Sequence, residues 1–242
     1  MSWKSAAAFL SILARRDEDE GALGRHSALL ASLIILLVAL PLVQMATGSQ
    51  TGFPLLLTLV LCAAVIVNSH QRTIYVIATL AAGLSIAGIS YAEFANSDSI
   101  RSASQIIGLG LLSFTTLLMF NSLVQAENVS EDTIVGGICV YLLMGLCFAV
   151  LYILMIDLTP GAFLSGEEIL RFDPGNPNLH ATAMLYFSFV TMTTLGYGDI
   201  APGSDLAQMC AVVQALVGQL YLTIFLARLV ALYVSRDRRV GR

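Results

Sequence analysis

The chain has 242 residues with a formal net charge of −4, and 57% of its residues are hydrophobic whereas only 12% are charged. Its mean hydropathy is +0.82, and a soluble domain usually carries about 25% charged residues. Because so few charges leave too little polar surface to face water, the composition excludes an ordinary soluble domain and indicates a membrane protein, which the apolar stretches described below predict to be all-α.

Residues 1–26 precede the first long apolar stretch. Trp3, Phe9 and Leu13 interleave there with Ala and Ser, and the charged run 15–20 follows. A secretory signal peptide would need small residues at a cleavage site after its apolar core, and the charged run stands in that place. Two interpretations stay open, both cytoplasmic: an interfacial helix anchored by Trp3, or a poorly ordered tail.

Six stretches are apolar enough to be membrane-spanning helices, each of which takes about 20 mainly apolar residues. In chain order they cover about 27–45, 53–68, 73–90, 103–123, 133–158 and 205–234. A shorter apolar segment, 181–193, cannot span the membrane. It is predicted to be a re-entrant helix, which is tolerated at membrane depth only where protein or a water-filled cavity surrounds it.

The basic residues determine the orientation, because cytoplasmic loops carry the excess of Lys and Arg. Most of them lie before the first span, between the second and third, or after the sixth: Lys4, Arg15, Arg16, Arg25, Arg72, Arg236, Arg238, Arg239 and Arg242. An even number of spans puts all of these on one side. Both termini, including the basic tail 236–242, are therefore predicted to be cytoplasmic in a plasma (cell inner) membrane, and residues 193–199 face outward.

The four-helix unit 27–123 is predicted to lack a voltage sensor. Such a sensor carries repeated arginines, and steep gating takes about three to four gating charges in each subunit. Residues 102–123 contain no basic residue, and only Arg101 lies at the edge of that span. The third span is rich in Gly, Ala and Ser, which let helices pack closely. We expect the unit to be a scaffold.

The most specific motif is the run 193–199, Thr-Thr-Leu-Gly-Tyr-Gly-Asp, which lies between the re-entrant segment and the sixth span. A Gly-x-Gly pair alone indicates only a turn. Two glycines flanking a tyrosine also let the backbone alternate its handedness, so that successive carbonyls can point the same way. With Leu195 in place of Val, the run resembles the selectivity filter of the tetrameric P-loop potassium channels. The resemblance covers roughly the last 110 residues and implies a pore domain over 133–235.

The resemblance implies a set of potassium-binding oxygens. The carbonyls of Thr194, Leu195, Gly196 and Tyr197, with the Thr194 hydroxyl, would replace the hydration shell of K+, and Gly198 completes the loop. One chain supplies one loop and a ring needs four, so a homotetramer is implied. The Leu195 side chain is expected to pack behind the filter. Because selectivity uses the backbone, potassium preference is expected to survive this departure.

Neighbouring residues are expected to support the filter. Tyr197 should point into the surrounding cuff, where Tyr186 or Phe187 would brace it. Thr193 would join the re-entrant helix to the loop. Asp199 is expected at the outer mouth, where its carboxylate can also stabilise a turn.

Several residues of the sixth span are unusual in an apolar helix. Gly218 lies nineteen residues after Asp199, where the resembled family has its hinge glycine, so a gating hinge is implied and close packing is the alternative. Gln214 and Gln219 are expected to face the bundle interior or a water-filled cavity. Arg228 is expected to snorkel to the cytoplasmic headgroups, with binding of an anionic lipid as the alternative.

The predicted function is passive, potassium-selective conduction through a homotetrameric pore that is not voltage-gated. The alternatives are a regulatory or non-conducting channel subunit, a less selective cation channel, and a transporter with P-loop ancestry. No pairing of nucleophile and base suggests an enzyme, and the cysteines show no metal-site spacing. The expected ligands are membrane lipids and permeant K+, with no cofactor and no nucleic acid. An unidentified regulatory ligand or protein stays open.

Overall fold

A computed structural model of the chain describes residues 26–39, 42, 83, 98–126, 130–159, 161–166, 168–169 and 177–240. Three predictions lie outside these residues: the N-terminal segment up to residue 25, the second span, and the third span apart from Gly83, which is helical. Residues 241–242 of the predicted tail lie outside them as well.

The described chain is mostly helical, as predicted. Its helices are α1 (His26–Ala39), α2 (Asp98–Val124), α3 (Glu131–Leu158), α4 (Pro177–Met192), α5 (Asp205–Leu220) and α6 (Ala227–Val240). A π-helical stretch, Tyr221–Leu226, joins α5 to α6. Three stretches are long and apolar enough to cross a membrane, namely Ser102–Val124, Glu131–Leu158 and Asp205–Ser235. They coincide with the predicted fourth, fifth and sixth spans.

Local capping explains where the two longest spans begin. At the start of α3, Ser130 and Thr133 form a reciprocal capping box, in which each side-chain oxygen accepts a hydrogen bond from the other residue's backbone N–H. At the start of α5, the Ser204 hydroxyl accepts from the Ala207 N–H at 3.3 Å. Acidic residues occupy both first turns, where the helix dipole favours negative charge.

Helix α3 is the centre of the described structure, since it contacts α2, α4, α5, the π-helical stretch and α6. Its apolar residues are buried on several sides, among them Leu143, Leu146 and Ala149. Helix α1 adds Leu29 and Leu33 to the same core. A helix that is apolar all round is buried or spans a membrane, and α3 has this character from Ile134 to Ile156.

A small antiparallel sheet makes the all-α prediction incomplete. Its strands are β1 (Phe163–Ser165), β2 (Glu168–Ile169) and β3 (Ile200–Pro202), in the order β2-β1-β3. Leu164 pairs with Ile169 on one side and with Ala201 on the other. Strands of two or three residues are too short to show the alternating pattern by which strands are predicted. Because β3 directly follows residue 199, the sheet adjoins the end of the predicted filter.

Candidate functional site: the loop after α4

The loop 193–199 begins directly at the end of α4 and is bonded to that helix's last carbonyls. The Thr193 N–H donates to Phe189 O at 2.9 Å, and the Leu195 N–H donates to Val190 O at 2.9 Å. The Gly196 N–H shares the same Val190 acceptor at 3.4 Å. These bonds satisfy carbonyls that a helix C-terminus would otherwise leave open, and they set the direction in which the loop leaves α4.

The backbone of the loop alternates in handedness. Thr194, Gly196 and Gly198 have φ values of 59°, 59° and 80°, whereas no other described non-glycine residue has a positive φ. The two glycines adopt this conformation at little cost. Thr194 is β-branched, for which a left-handed backbone is a genuine outlier. Sequence reasoning missed the strained threonine, because no residue-type pattern marks it.

The side chains of the loop are exposed on the single chain. All residues from 193 to 199 are exposed, and Leu195 and Tyr197 retain 56% and 68% of their accessible surface. The Thr194 hydroxyl donates to Thr193 O at 2.6 Å, so its oxygen stays available as an acceptor. The expectation that Leu195 packs behind the filter is therefore not met by contacts within one chain.

Tyr186 and Phe187 have different surroundings, although they are adjacent on α4. The Tyr186 ring stacks on that of Tyr197 with centroids 6.4 Å apart and planes 1° from parallel. Phe187 points the other way and meets Tyr152 at 5.2 Å and Phe163 at 5.1 Å. Of the two predicted braces, Tyr186 is the one beside Tyr197, and Phe187 joins α4 to α3 and β1.

The end of the loop is tied to its surroundings through Asp199. The Tyr186 hydroxyl forms a side-chain hydrogen bond with the Asp199 carboxylate. The Asp199 carbonyl accepts from the Gly166 N–H at 3.3 Å, beside the sheet. Asp199 thus links α4 to the turn between β1 and β2, while its side chain remains exposed.

A buried polar cluster lies behind the loop, where α3, α4 and α5 meet. The Gln214 amide donates to Ser188 O at 3.0 Å and to Ser188 Oγ at 2.7 Å. The Tyr152 hydroxyl donates to Gln214 Oε1 at 2.7 Å, and Ser188 Oγ donates to Gly145 O at 2.7 Å. Gln214 therefore faces the bundle interior. The sequence analysis predicted no role for Ser188 or Tyr152. Ser188 could have been noticed as a hydroxyl inside an apolar segment.

Gly218 is a close-packing position in this structure. A Cβ added there would lie 2.9 Å from both Met192 Cγ and Met192 O, and the carbonyl is backbone that cannot move aside cheaply. The Tyr141 hydroxyl also donates to Met192 O, at 3.2 Å. The observed irregularity of the helix is the π-helical stretch that begins three residues later, at Tyr221. The geometry thus favours the packing role that was the alternative to a hinge.

The other two residues that the sequence analysis singled out in the sixth span, Gln219 and Arg228, differ from Gln214 in their exposure. The side chains of Gln219 and Arg228 are exposed.

Near the other end of the bundle, the His26 ring and the Asp132 carboxylate join α1 to α3 at 2.5 Å. Among the described residues, no group of three or more His, Cys, Asp or Glu could hold a metal ion.

A family model for ion channels matches the part of the chain that contains this loop. Residues 140–235 match the family model described as "Ion channel", which is not an enzyme class. The chain is 37% identical over 68 residues to the voltage-gated delayed rectifier potassium channel KCNH5 of Homo sapiens, and equally to those of Mus musculus and Rattus norvegicus. The match covers 28% of this chain and 7% of each relative. No solved structure gives a significant match. With the membrane-length helices, these matches support an ion channel that has potassium channels among its relatives.

Proposed function

We propose that the protein is a potassium-selective channel that conducts K+ passively. The loop after α4 carries this proposal, because left-handed backbone at Thr194, Gly196 and Gly198 alternates with ordinary backbone at Leu195 and Tyr197. Such alternation turns successive carbonyls toward one side, as is needed where backbone oxygens replace the hydration shell of an ion. The proposed K+ ligands are the carbonyls of residues 194–197 and Thr194 Oγ1.

The conducting unit is proposed to be a homotetramer. One chain supplies one loop, and one row of carbonyls cannot surround an ion. The exposure of Leu195 and Tyr197 on the single chain supports this proposal. Two neighbouring large side chains that are exposed in one chain can be buried at an interface between chains. Copies of the chain around a common axis would cover them. Asp199, repeated around that axis, would give a negative outer mouth that concentrates cations.

The pore is proposed to open without a voltage sensor. The helical stretch Ser102–Val124 contains no basic residue, so it lacks the several charges that moving through the membrane field requires. Its outer part is also held to α3, because the Gln105 amide donates to Asp157 Oδ2 at 2.9 Å. A conductance–voltage curve as steep as that of a sensor-bearing channel would contradict this part of the proposal.

Arg228 is proposed to reach the cytoplasmic headgroups. It is exposed on the first turn of α6, and long arginine side chains near helix ends can snorkel to the interface. Binding of an anionic lipid is the alternative. Activity of the wild type and of Arg228→Gln, compared in neutral and anionic liposomes, separates the two, because only lipid binding makes the wild type depend on anionic lipid and the variant independent of it.

The decisive experiment is a reversal-potential measurement on purified protein in liposomes with high K+ and low Na+ on one side and low K+ and high Na+ on the other. We expect the reversal potential to approach the potassium equilibrium potential. A value near zero would indicate the less selective cation channel. Protein that is folded and tetrameric, yet passes no ion, would favour the regulatory or non-conducting subunit.

A further inference from the structure

We propose that Gln214 is a positioning residue for the filter, whose amide transmits the position of α5 to α4 and from there to the loop. This proposal rests on the proposed function. Its starting observation is that one side chain bonds three helices: Gln214 is on α5, Ser188 on α4 and Tyr152 on α3, and all three side chains are fully buried.

Every hydrogen-bonding group of this cluster is used. Both Nε2 protons of Gln214 go to Ser188, one to its carbonyl and one to its hydroxyl oxygen, and Oε1 accepts the Tyr152 proton. The Ser188 hydroxyl proton goes to Gly145 O. Buried polar groups are costly when unpaired, so a shift of any one helix leaves donors or acceptors unsatisfied. The cluster therefore defines one relative position of the three helices.

The cluster lies a short way from the filter along the backbone. Ser188 is two residues before Val190, whose carbonyl accepts from two loop N–H groups, those of Leu195 and Gly196. One turn further along α5, Gly218 touches Met192, the last residue of α4. Helix α5 thus meets α4 at two successive turns. Of these two contacts, only Gln214 makes directional bonds.

Replacing Gln214 with glutamate separates positioning from simple space-filling. A protonated carboxyl has nearly the shape of the amide and keeps one donor for Ser188 and one acceptor for Tyr152. An ionised carboxylate only accepts, so it can donate nothing to Ser188 and faces that residue's carbonyl oxygen. The volume of the side chain is the same in both forms. A pH titration of Gln214→Glu therefore switches the bonds on and off within one folded protein.

The test measures the K+/Na+ permeability ratio in liposomes from acidic to alkaline pH. We expect Gln214→Glu to resemble wild type at acidic pH and to lose about tenfold in the ratio at alkaline pH, the effect of one buried hydrogen bond of ordinary strength. Wild type contains the same Tyr152 and the nearby Cys210 thiol. Any change in the permeability ratio that comes from titration of these groups therefore occurs in wild type as well. Gln125→Glu places the same substitution on an exposed position just after α2, outside the pore helices, and its permeability ratio should follow wild type at every pH.

Three outcomes would overturn the proposal. One is a Gln214→Glu ratio equal to wild type at a pH at which infrared absorption shows the introduced carboxyl group to be ionised. Another is a loss of tetramer stability at every pH with an unchanged ratio, which is what a merely structural residue would give. A non-conducting wild type would overturn the proposed function along with this inference, whereas a selective wild type isolates the inference.

If Gln214→Glu does not fold, Tyr152→Phe removes a single hydroxyl bond at nearly constant volume, and an unchanged ratio in that variant also contradicts the proposal.

Discussion

The loop 193–199 and the helix α4 that precedes it are held in different ways. One face of helix α4 is buried within one chain: Met184, Ser188 and Met192 are fully buried, and the polar one is completely bonded. The loop is exposed along its whole length and bonds mainly to the last carbonyls of α4. The chain by itself thus completes the support and leaves the loop open, which is the arrangement expected if copies of the loop complete one another.

The largest effect is expected from Gly196→Ala. The alanine Cβ meets no atom within 4 Å, but the residue has φ +59°, and a left-handed backbone costs an L-residue about 1–2 kcal/mol. If the alanine backbone leaves the left-handed region, the carbonyl of residue 196 turns away from the other proposed K+ ligands, and selective conduction should be lost. The permeability ratio of reconstituted protein measures this.

The matched control is Gly161→Ala, at φ +84° and equally free of near neighbours. It carries similar strain just before β1 and has no described hydrogen bond to the loop, so its selectivity should be retained. If both variants lost selectivity equally, strain in general and not the loop would be the cause.

Gly218→Ala is expected to disturb the support itself. Its Cβ would lie 2.9 Å from the Met192 carbonyl oxygen, and overpacking of this kind costs about 1–3 kcal/mol. Because Met192 precedes the loop, we expect reduced thermal stability together with altered conduction. Gly110→Ala on α2, with no atom within 4 Å, should instead be neutral or stabilising by up to about 1 kcal/mol. Normal stability with a changed open probability would restore the hinge interpretation.

Tyr186 is the contact between the two regions, and two substitutions divide its role. Tyr186→Ala removes the ring that stacks on Tyr197, a loss of about 0.5–1.5 kcal/mol beyond buried area. Tyr186→Phe keeps the ring and removes only the hydroxyl beside Asp199. We expect a larger drop in permeability ratio for alanine than for phenylalanine. The opposite order would mean that the Asp199 bond, rather than stacking, holds the loop.

The smallest effect is expected from Leu195→Val. The side chain is exposed on the single chain, and an apolar swap of similar volume costs less than about 1.5 kcal/mol. Because the proposed ligand is the backbone carbonyl, the permeability ratio should be unchanged, although the β-branched residue is stiffer. A clear change in the reversal potential would show that the side chain takes part in selectivity.

Residue types predicted those features that depend on local chemistry. The helical spans follow from long apolar runs, and the alternating backbone at Gly196 and Gly198 follows from the missing Cβ. Strands of two or three residues carry no such pattern, so the sheet β2-β1-β3 was missed. The left-handed backbone at Thr194 was missed for a different reason, since threonine is a residue type that disfavours this conformation.

The sequence by itself therefore determined that this is a mostly helical membrane-type chain with a glycine-containing loop between a short and a long apolar helix, because hydrophobic length and glycine conformation are properties of the residues alone. Only the tertiary structure decided which side chains meet. It turned Tyr186 toward Tyr197 and Phe187 toward α3, it joined Gln214 to Ser188 and Tyr152, and it set Gly218 against Met192. These contacts depend on how far each helix is rotated about its axis and how closely two helices approach. Both are determined by packing between segments distant in sequence, which no local pattern records.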